Sequence, residues 1–236
     1  AWAWPLAFAC SLILLGVVLA DHLPPYLPGL EVLQPPGAGH WLGTDGLGQD
    51  VLAGLIRSAP ATVFLSLAAA LMSLSLTLFF AASAAFGSSG LRLWMLRLVD
   101  VLQVLPSILV LLLIAAWTQP GFWTLALILA LTSWHEDLRL AIPVLRRELT
   151  RDNVVFARHM GAGRLYCMTE HILPAIWPLT LVLFLQNMRQ AALKGAGLAF
   201  LGLTDPRLLT WGSMIQEASS HLSTPAWSWL VLPPVI

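Results

Sequence analysis

From Thr62 to Phe86 the chain carries no charged residue. A run of that length exceeds the roughly 20 apolar residues that cross a hydrocarbon core as a helix. Trp2–Ala20, Leu98–Trp117, Phe122–Trp134 and Ile176–Leu193 are also predominantly apolar, and a sixth run opens at Trp227 close to the last residue, Ile236. These runs are continuous and rich in Leu and Ala, where a barrel strand would alternate. Charged residues make up 10% of the 236 and mean hydropathy is +0.80, against roughly 25% charged in ordinary soluble domains. The pattern predicts an all-α polytopic membrane bundle of about six transmembrane helices, the last truncated. For Trp2–Ala20 the rival reading is a signal peptide; the missing basic n-region favours a span. Ala at position 1 and the short final run suggest that residues are absent at both ends.

Charge then orients the bundle. Lys and Arg concentrate in short cytoplasmic loops. Arg92 and Arg97 follow the second run, and Arg139–Pro174 holds six of the twelve Lys and Arg residues. Both segments fall on the same side by parity, so that side is read as cytoplasmic, with the amino terminus there too. The Asp21–Ser58 connection and the Gly195–Thr224 stretch then face outward. The domain reading is 1–20 first span, 21–61 extracytoplasmic connection, and 62–236 transmembrane core with a cytoplasmic loop at 135–175 and an outer stretch at 195–226. A net charge of zero argues against a nucleic-acid partner. Trp2, Trp4, Trp94, Trp117, Trp123 and Trp134 lie near run ends, as interfacial aromatics do. Cys10 and Cys167 fit neither a disulfide framework nor metal-ligand spacing.

Arg139–Pro174 is the one long polar segment and reads as helix–Gly–helix. Arg147–Met160 is the first helix, with Gly161 at the left-handed position that ends it. Arg164–Ile172 is a second, short one, and Pro174 sets the return to the membrane. Ala157 and Gly161 share a face, while Arg151, Arg158 and Arg164 offer charge to an acidic rim. Such a projection suits a groove in a soluble partner; a solvated positive loop explains the arginines but not the punctuation. On the other side, Gly43, Gly46 and Gly48 break regular structure, and Asp50 caps a short helix, Val51–Ile56.

The polar segment resembles the coupling loop of ATP-binding-cassette importer permeases, whose pattern is Glu-Ala-Ala-x-x-x-Gly and, further on, Ile/Leu-Leu-Pro. Here it reads Val155-Phe156-Ala157-Arg158-His159-Met160-Gly161, then His171-Ile172-Leu173-Pro174. The second Ala and the Gly match; Val155 and Phe156 stand for the family's Glu and first Ala. Trp41-Leu42-Gly43-Thr44-Asp45-Gly46-Leu47-Gly48-Gln49-Asp50 is similar to the LGTDxLGRD motif of dipeptide/oligopeptide/nickel permeases (C-type subunit), with Gln49 replacing Arg. Ala196–Leu203 and Trp211-Gly212-Ser213-Met214 are similar to the AGLSFLGLG…WGxM stretch of the same group. The resemblance implies a homologous second permease, two cytoplasmic ATPases that bind ATP and Mg, and an extracytoplasmic substrate-binding protein. Together with the residue reading, it makes Arg151, Ala157, Arg158, Gly161, Ala162, Arg164, His171, Leu173 and Pro174 the expected ATPase-coupling residues. The outer motif is Gly43, Thr44, Asp45, Gly48, Asp50, Trp211 and Gly212. No phosphate loop is present in this chain, so it is expected to be a non-enzymatic subunit of the inner membrane with no cofactor of its own.

Polar groups within spans are costly and mark functional candidates. Gln186, Asn187 and Arg189 are candidates for the translocation path, against snorkelling or subunit pairing for Arg189. Asp100 is another, though an acid at a helix N-terminus is the preferred reading. Pro106 is expected to kink its span. His22, His40 and His221 lack ligand spacing, so no metal site is expected. Asp45, Asp50 and Asp205 are expected to cap turns. Import of di- or oligopeptides is the leading function, with nickel or metal chelates as the alternative and a non-transporting scaffold as the rival class.

Overall fold

The computed structural model describes residues 28–235; the run Trp2–Ala20, with Cys10 and His22, lies outside them. The helices are α1 (Val51–Phe86), α2 (Ser89–Val104), α3 (Ser107–Thr118), α4 (Phe122–Leu131), α5 (Trp134–Leu149), α6 (Asp152–His159), α7 (Arg164–Phe200), α8 (Trp211–Ser219) and α9 (Trp227–Val235). The one β pairing among the described residues is a bridge between Thr44 and Asp50. α1 and α7 are long and apolar enough to cross a membrane, and α2 with α3 adds a third crossing if the bent pair is one span.

Several helix boundaries differ from the sequence expectation, each for a local reason. Val51–Ile56 is not a separate short helix but the start of the 36-residue α1, which passes through Pro60. The intervening Arg57-Ser58-Ala59 holds no Gly or Pro. Ser58 and Thr62 hydroxyls bond back to the Leu55 and Ser58 carbonyls, as helical Ser and Thr do. The third run is two helices meeting at 72°. Leu105 is extended because it precedes Pro106, which disfavours the α region there. Ser88 caps α2 through the Leu91 N–H, so this helix begins well before Leu98 and Asp100 is not at its N-terminus.

The polar segment also divides differently. Its first part belongs to α5, and the single helix expected over Arg147–Met160 breaks at Thr150–Arg151. There the Thr150 N–H bonds the Arg147 carbonyl, Arg151 turns extended, and Asp152 starts α6 with an acid in its first turn. The expected short helix Arg164–Ile172 does not stop at Pro174 but runs on as the 37-residue α7. Cys167–Ile172 forms a π turn in which the Leu173 N–H reaches the Met168 carbonyl. The wider turn ends just before Pro174, which has no N–H to donate. α7 also runs through Gly195 and Gly197, so the expected outer stretch is helical up to Phe200.

The chain forms two compact units. The first, among described residues, comprises 28–67, 114–125 and 192–235. Its core joins Val51 of α1 to Met214 and Ala218 of α8 and Leu230 of α9. The Trp211 indole donates to the Leu55 carbonyl (3.0 Å) and its backbone N–H to the Thr62 hydroxyl (3.2 Å). Gly212 allows a close approach of helix to helix: an added Cβ would sit 2.6 Å from the Ala196 carbonyl oxygen and 2.7 Å from its Cα. The second unit is Ala68–Leu113 and Ala126–Ala191. Its core gathers Ala81, Val99, Leu138, Ile142, Leu145, Val154, Cys167 and Ile172, all buried.

Gly212→Ala is therefore expected to destabilise the isolated permease in detergent by about 1–3 kcal/mol, the usual cost of overpacking. A Cβ added at Gly197 would have no atom within 4 Å, so Gly197→Ala should instead stabilise its helix by about 0.5–1 kcal/mol. Thermal unfolding of the two variants side by side checks the contrast.

Candidate functional site

In the second unit, α6 and the start of α7 form a knuckle. Val154 is 1% exposed and fixes α6 in the core beside Leu145, Cys167 and Ile172. At its end the Ala162 N–H bonds the Ala157 carbonyl and the Gly161 N–H the Arg158 carbonyl, both at 3.0 Å. This pair of bonds is a Schellman closure, and Gly161 takes the left-handed φ of +89° that it requires. Nothing lies within 4 Å of a Cβ at Gly161, so the need for glycine is conformational rather than steric.

The knuckle brings together most residues expected for coupling. Ala157, Met160, Gly161, Ala162, Gly163, Tyr166 and His171 line a shallow open recess, with the Tyr166 and His171 rings edge to face at 5.7 Å. Arg158 and Arg164 are exposed beside it, and Pro174 is exposed further along α7. Arg151 is held by Glu148, its Nε donating to a carboxylate oxygen at 3.0 Å. Leu173 packs against the core. Sequence reasoning missed the dominant surface: Phe156 is 68% and Met160 88% exposed, four residues apart and so on one face of α6. Leu165 and Tyr166 extend that apolar surface. The available signal was a Phe and a Met at i, i+4 in the polar segment, on the side of a short helix away from Val154. Chemically, this is an apolar protrusion flanked by guanidinium groups.

In the first unit, the Gly-rich motif turns its polar groups onto its own loop. Thr44 is fully buried; its hydroxyl donates to the Glu31 carbonyl (2.6 Å) and accepts the Gln34 N–H (2.8 Å). Asp45 Oδ1 accepts the Leu47 and Gln49 N–H groups at 2.9 and 2.8 Å. Asp50 caps α1 through the Ala53 N–H (2.8 Å), and its second oxygen meets His40 Nδ1 at 2.8 Å. Gly43 and Gly48 adopt φ of +77° and +73°. Asp205 likewise accepts the Arg207 N–H in a turn. His221 lies against Gly46, and with Asp45 and Glu217 it lines a small cavity. Burial, and next the Asp45 carboxylate, hold the Glu217 carboxyl above its ordinary value.

The proposed path residues separate. Gln186 and Arg189 are exposed on α7, whereas Asn187, expected to face the path with them, is 4% exposed. Its amide donates to Asp137 (2.6 Å) and accepts from the Ser73 hydroxyl (3.3 Å). Asp100 pairs with Arg139 on the surface, in place of capping a helix start. Among the described residues no group of three or more His, Cys, Asp or Glu side chains is arranged to hold a metal ion.

The family described as "Binding-protein-dependent transport system inner membrane component" matches residues 78–236. Among curated relatives, the di/tripeptide transport system permease protein DppC of Pseudomonas aeruginosa is 31% identical over 234 residues, 94% of this chain and 77% of its own length. A protein of Brucella suis biovar 1 named as a peptide permease is 30% identical over 213 residues, 87% of this chain and 70% of its own. The oligopeptide transport system permease protein OppC of Mycobacterium tuberculosis is 28% identical over 232 residues, 94% and 79% respectively.

Because its raised value means that the folded state binds the Glu217 proton more tightly than the unfolded chain, the stability Glu217 contributes is full below 4.5 and is lost as pH rises through the folded value. Glu217→Gln should therefore melt higher than wild type near pH 7, and the gap should close as pH falls toward 4.5. Melting curves of both proteins across that range check the sign.

Proposed function

Because the chain belongs to the family of binding-protein-dependent transport system inner membrane components, we propose that it is the permease subunit of an ATP-driven importer of di- or oligopeptides. The names of its relatives favour peptides over nickel or metal chelates. In this reading the chain forms half of a translocation path with a homologous permease. Two cytoplasmic ATPases supply ATP and Mg chemistry, and an extracytoplasmic binding protein delivers substrate.

The observation that carries the coupling assignment is the knuckle. α6 is anchored by buried Val154 yet offers Phe156 and Met160 outward. An apolar i, i+4 pair on a short helix is the form in which a groove grips a helix. Where the resembling family carries Glu, this chain carries Val155, so its docking rests on apolar burial rimmed by Arg158 and Arg164. Closure of the ATPases displaces α6, and the packed core of Leu145, Val154, Cys167 and Ile172 passes that displacement to α5 and α7. The two long helices then shift between outward- and inward-open states. The knuckle and Arg92 and Arg97 lie on the cytoplasmic side, as does the amino terminus. Gln186 and Arg189 face the path, where a guanidinium attracts a peptide carboxylate.

Phe156→Glu with Met160→Glu is expected to lose the ATPase on co-purification while the permease melts as wild type does, since both side chains are already exposed. Gly161→Pro, which cannot adopt a positive φ, should abolish coupled transport. Retained ATPase and normal peptide uptake in liposomes would overturn the docking assignment. A wild-type complex whose ATP hydrolysis ignores every peptide-loaded binding protein would favour the scaffold.

A further inference from the structure

At its first turn, α5 is joined to two other helices of the same unit by side chains that all lie out of solvent. Asp137 is 5% exposed, Asn187 4%, Ser73 1% and Thr77 0%. Asn187 of α7 donates its amide to Asp137 Oδ2 at 2.6 Å, and its carbonyl oxygen accepts from Ser73 of α1 at 3.3 Å. One turn further along α1, the Thr77 hydroxyl reaches the Trp134 carbonyl at 3.0 Å. One turn further along α7, Gln190 meets Glu136 at 3.4 Å. The Trp134 ring packs on Phe80 at 4.6 Å between centroids.

The opposite end of α5 leads through Thr150–Arg151 into α6. Leu145 there shares the core with Val154 of α6 and Ile172 of α7. α5 is thus a strut of roughly 24 Å at 1.5 Å per residue, packed against the docking knuckle at one end and bonded to both long helices at the other. A buried carboxylate is costly unless its bonds are made, so the three-member chain Ser73–Asn187–Asp137 resists separation of these helices. Asp137, Asn187, Ser73 and Thr77 are all too buried to touch a substrate.

We propose that Asp137 is a positioning residue, whose bond to Asn187 makes α1, α5 and α7 move together when the knuckle is displaced. This rests on the importer reading above. Binding of the ATPase does not depend on the clasp, because Phe156 and Met160 lie at the far end of the strut; transmission to the long helices does. The polarity of the chain also predicts a rescue. With Asn at 137 and Asp at 187, the amide donates in the reverse direction and the Ser73 hydroxyl still has a carboxylate to donate to.

The experiment uses the full complex in liposomes with peptide-loaded binding protein. It compares wild type, Asp137→Leu, and Asp137→Asn combined with Asn187→Asp, reading ATPase co-purification, basal hydrolysis and peptide-stimulated hydrolysis separately. Asp137→Leu is expected to keep its ATPase and basal rate yet lose stimulation by about fivefold or more, the low end of ordinary coupling strengths. The exchanged pair should recover most of it. Stimulation in Asp137→Leu equal to wild type, or an exchanged pair that assembles yet stays as uncoupled as the single variant, overturns the clasp alone. A wild-type complex that retains no ATPase overturns the importer reading and the clasp with it.

Discussion

Every backbone N–H and C=O inside a hydrocarbon core must find its partner within the protein. That constraint explains why α7 stays helical across Pro178, inside its apolar run. α1, α5 and α7 also pass through Pro60, Pro143 and Pro174, which lie outside the apolar runs. At Pro174 the backbone widens into a π turn and stays helical. Where Pro106 forces Leu105 into an extended conformation the third apolar run breaks, with a 72° bend. Continuity of α7 matters for the proposed function, because it makes the knuckle the beginning of a long helix and not a loop hung between two.

The polar residues serve two different ends. In the Gly-rich loop of the first unit, Thr44, Asp45 and Asp50 satisfy neighbouring backbone and leave the surface to apolar Trp41 and Leu47, at 76% and 53% exposure. Their role is to hold a shape. In the second unit, buried polar groups join helices far apart in sequence, as Asp137, Asn187 and Ser73 do. Hydrogen bonds of that kind define register between helices where apolar packing alone allows sliding.

The apolar runs, the Gly161 closure, the capping role of Asp50 and the break at Pro106 were legible because each depends on residues near one another in the chain. Helix ends at Ile56, Leu149 and Ile172 were misread. Proline and polarity are punctuation in water, whereas here Ser58, Thr62 and a π turn absorb them. The fate of Asn187 could not be read at all: spacing along α7 places it beside Gln186 and Arg189, and only packing reveals Asp137 and Ser73 as its partners. Phe156 and Met160 were visible as residues, but only packing shows that Val154, with Ala157 partly buried beside it, turns inward and leaves them out.

Coupling as proposed requires that an ATPase seat on the α6 knuckle. Hydrogen–deuterium exchange of the permease in nanodiscs, with and without the cognate ATPase, tests it directly. Amide exchange from Asp152 to Gly163 is expected to slow on ATPase addition, with the Gly-rich loop of the other unit unchanged. Unchanged exchange over Asp152–Gly163 in a complex that has bound its ATPase would contradict it.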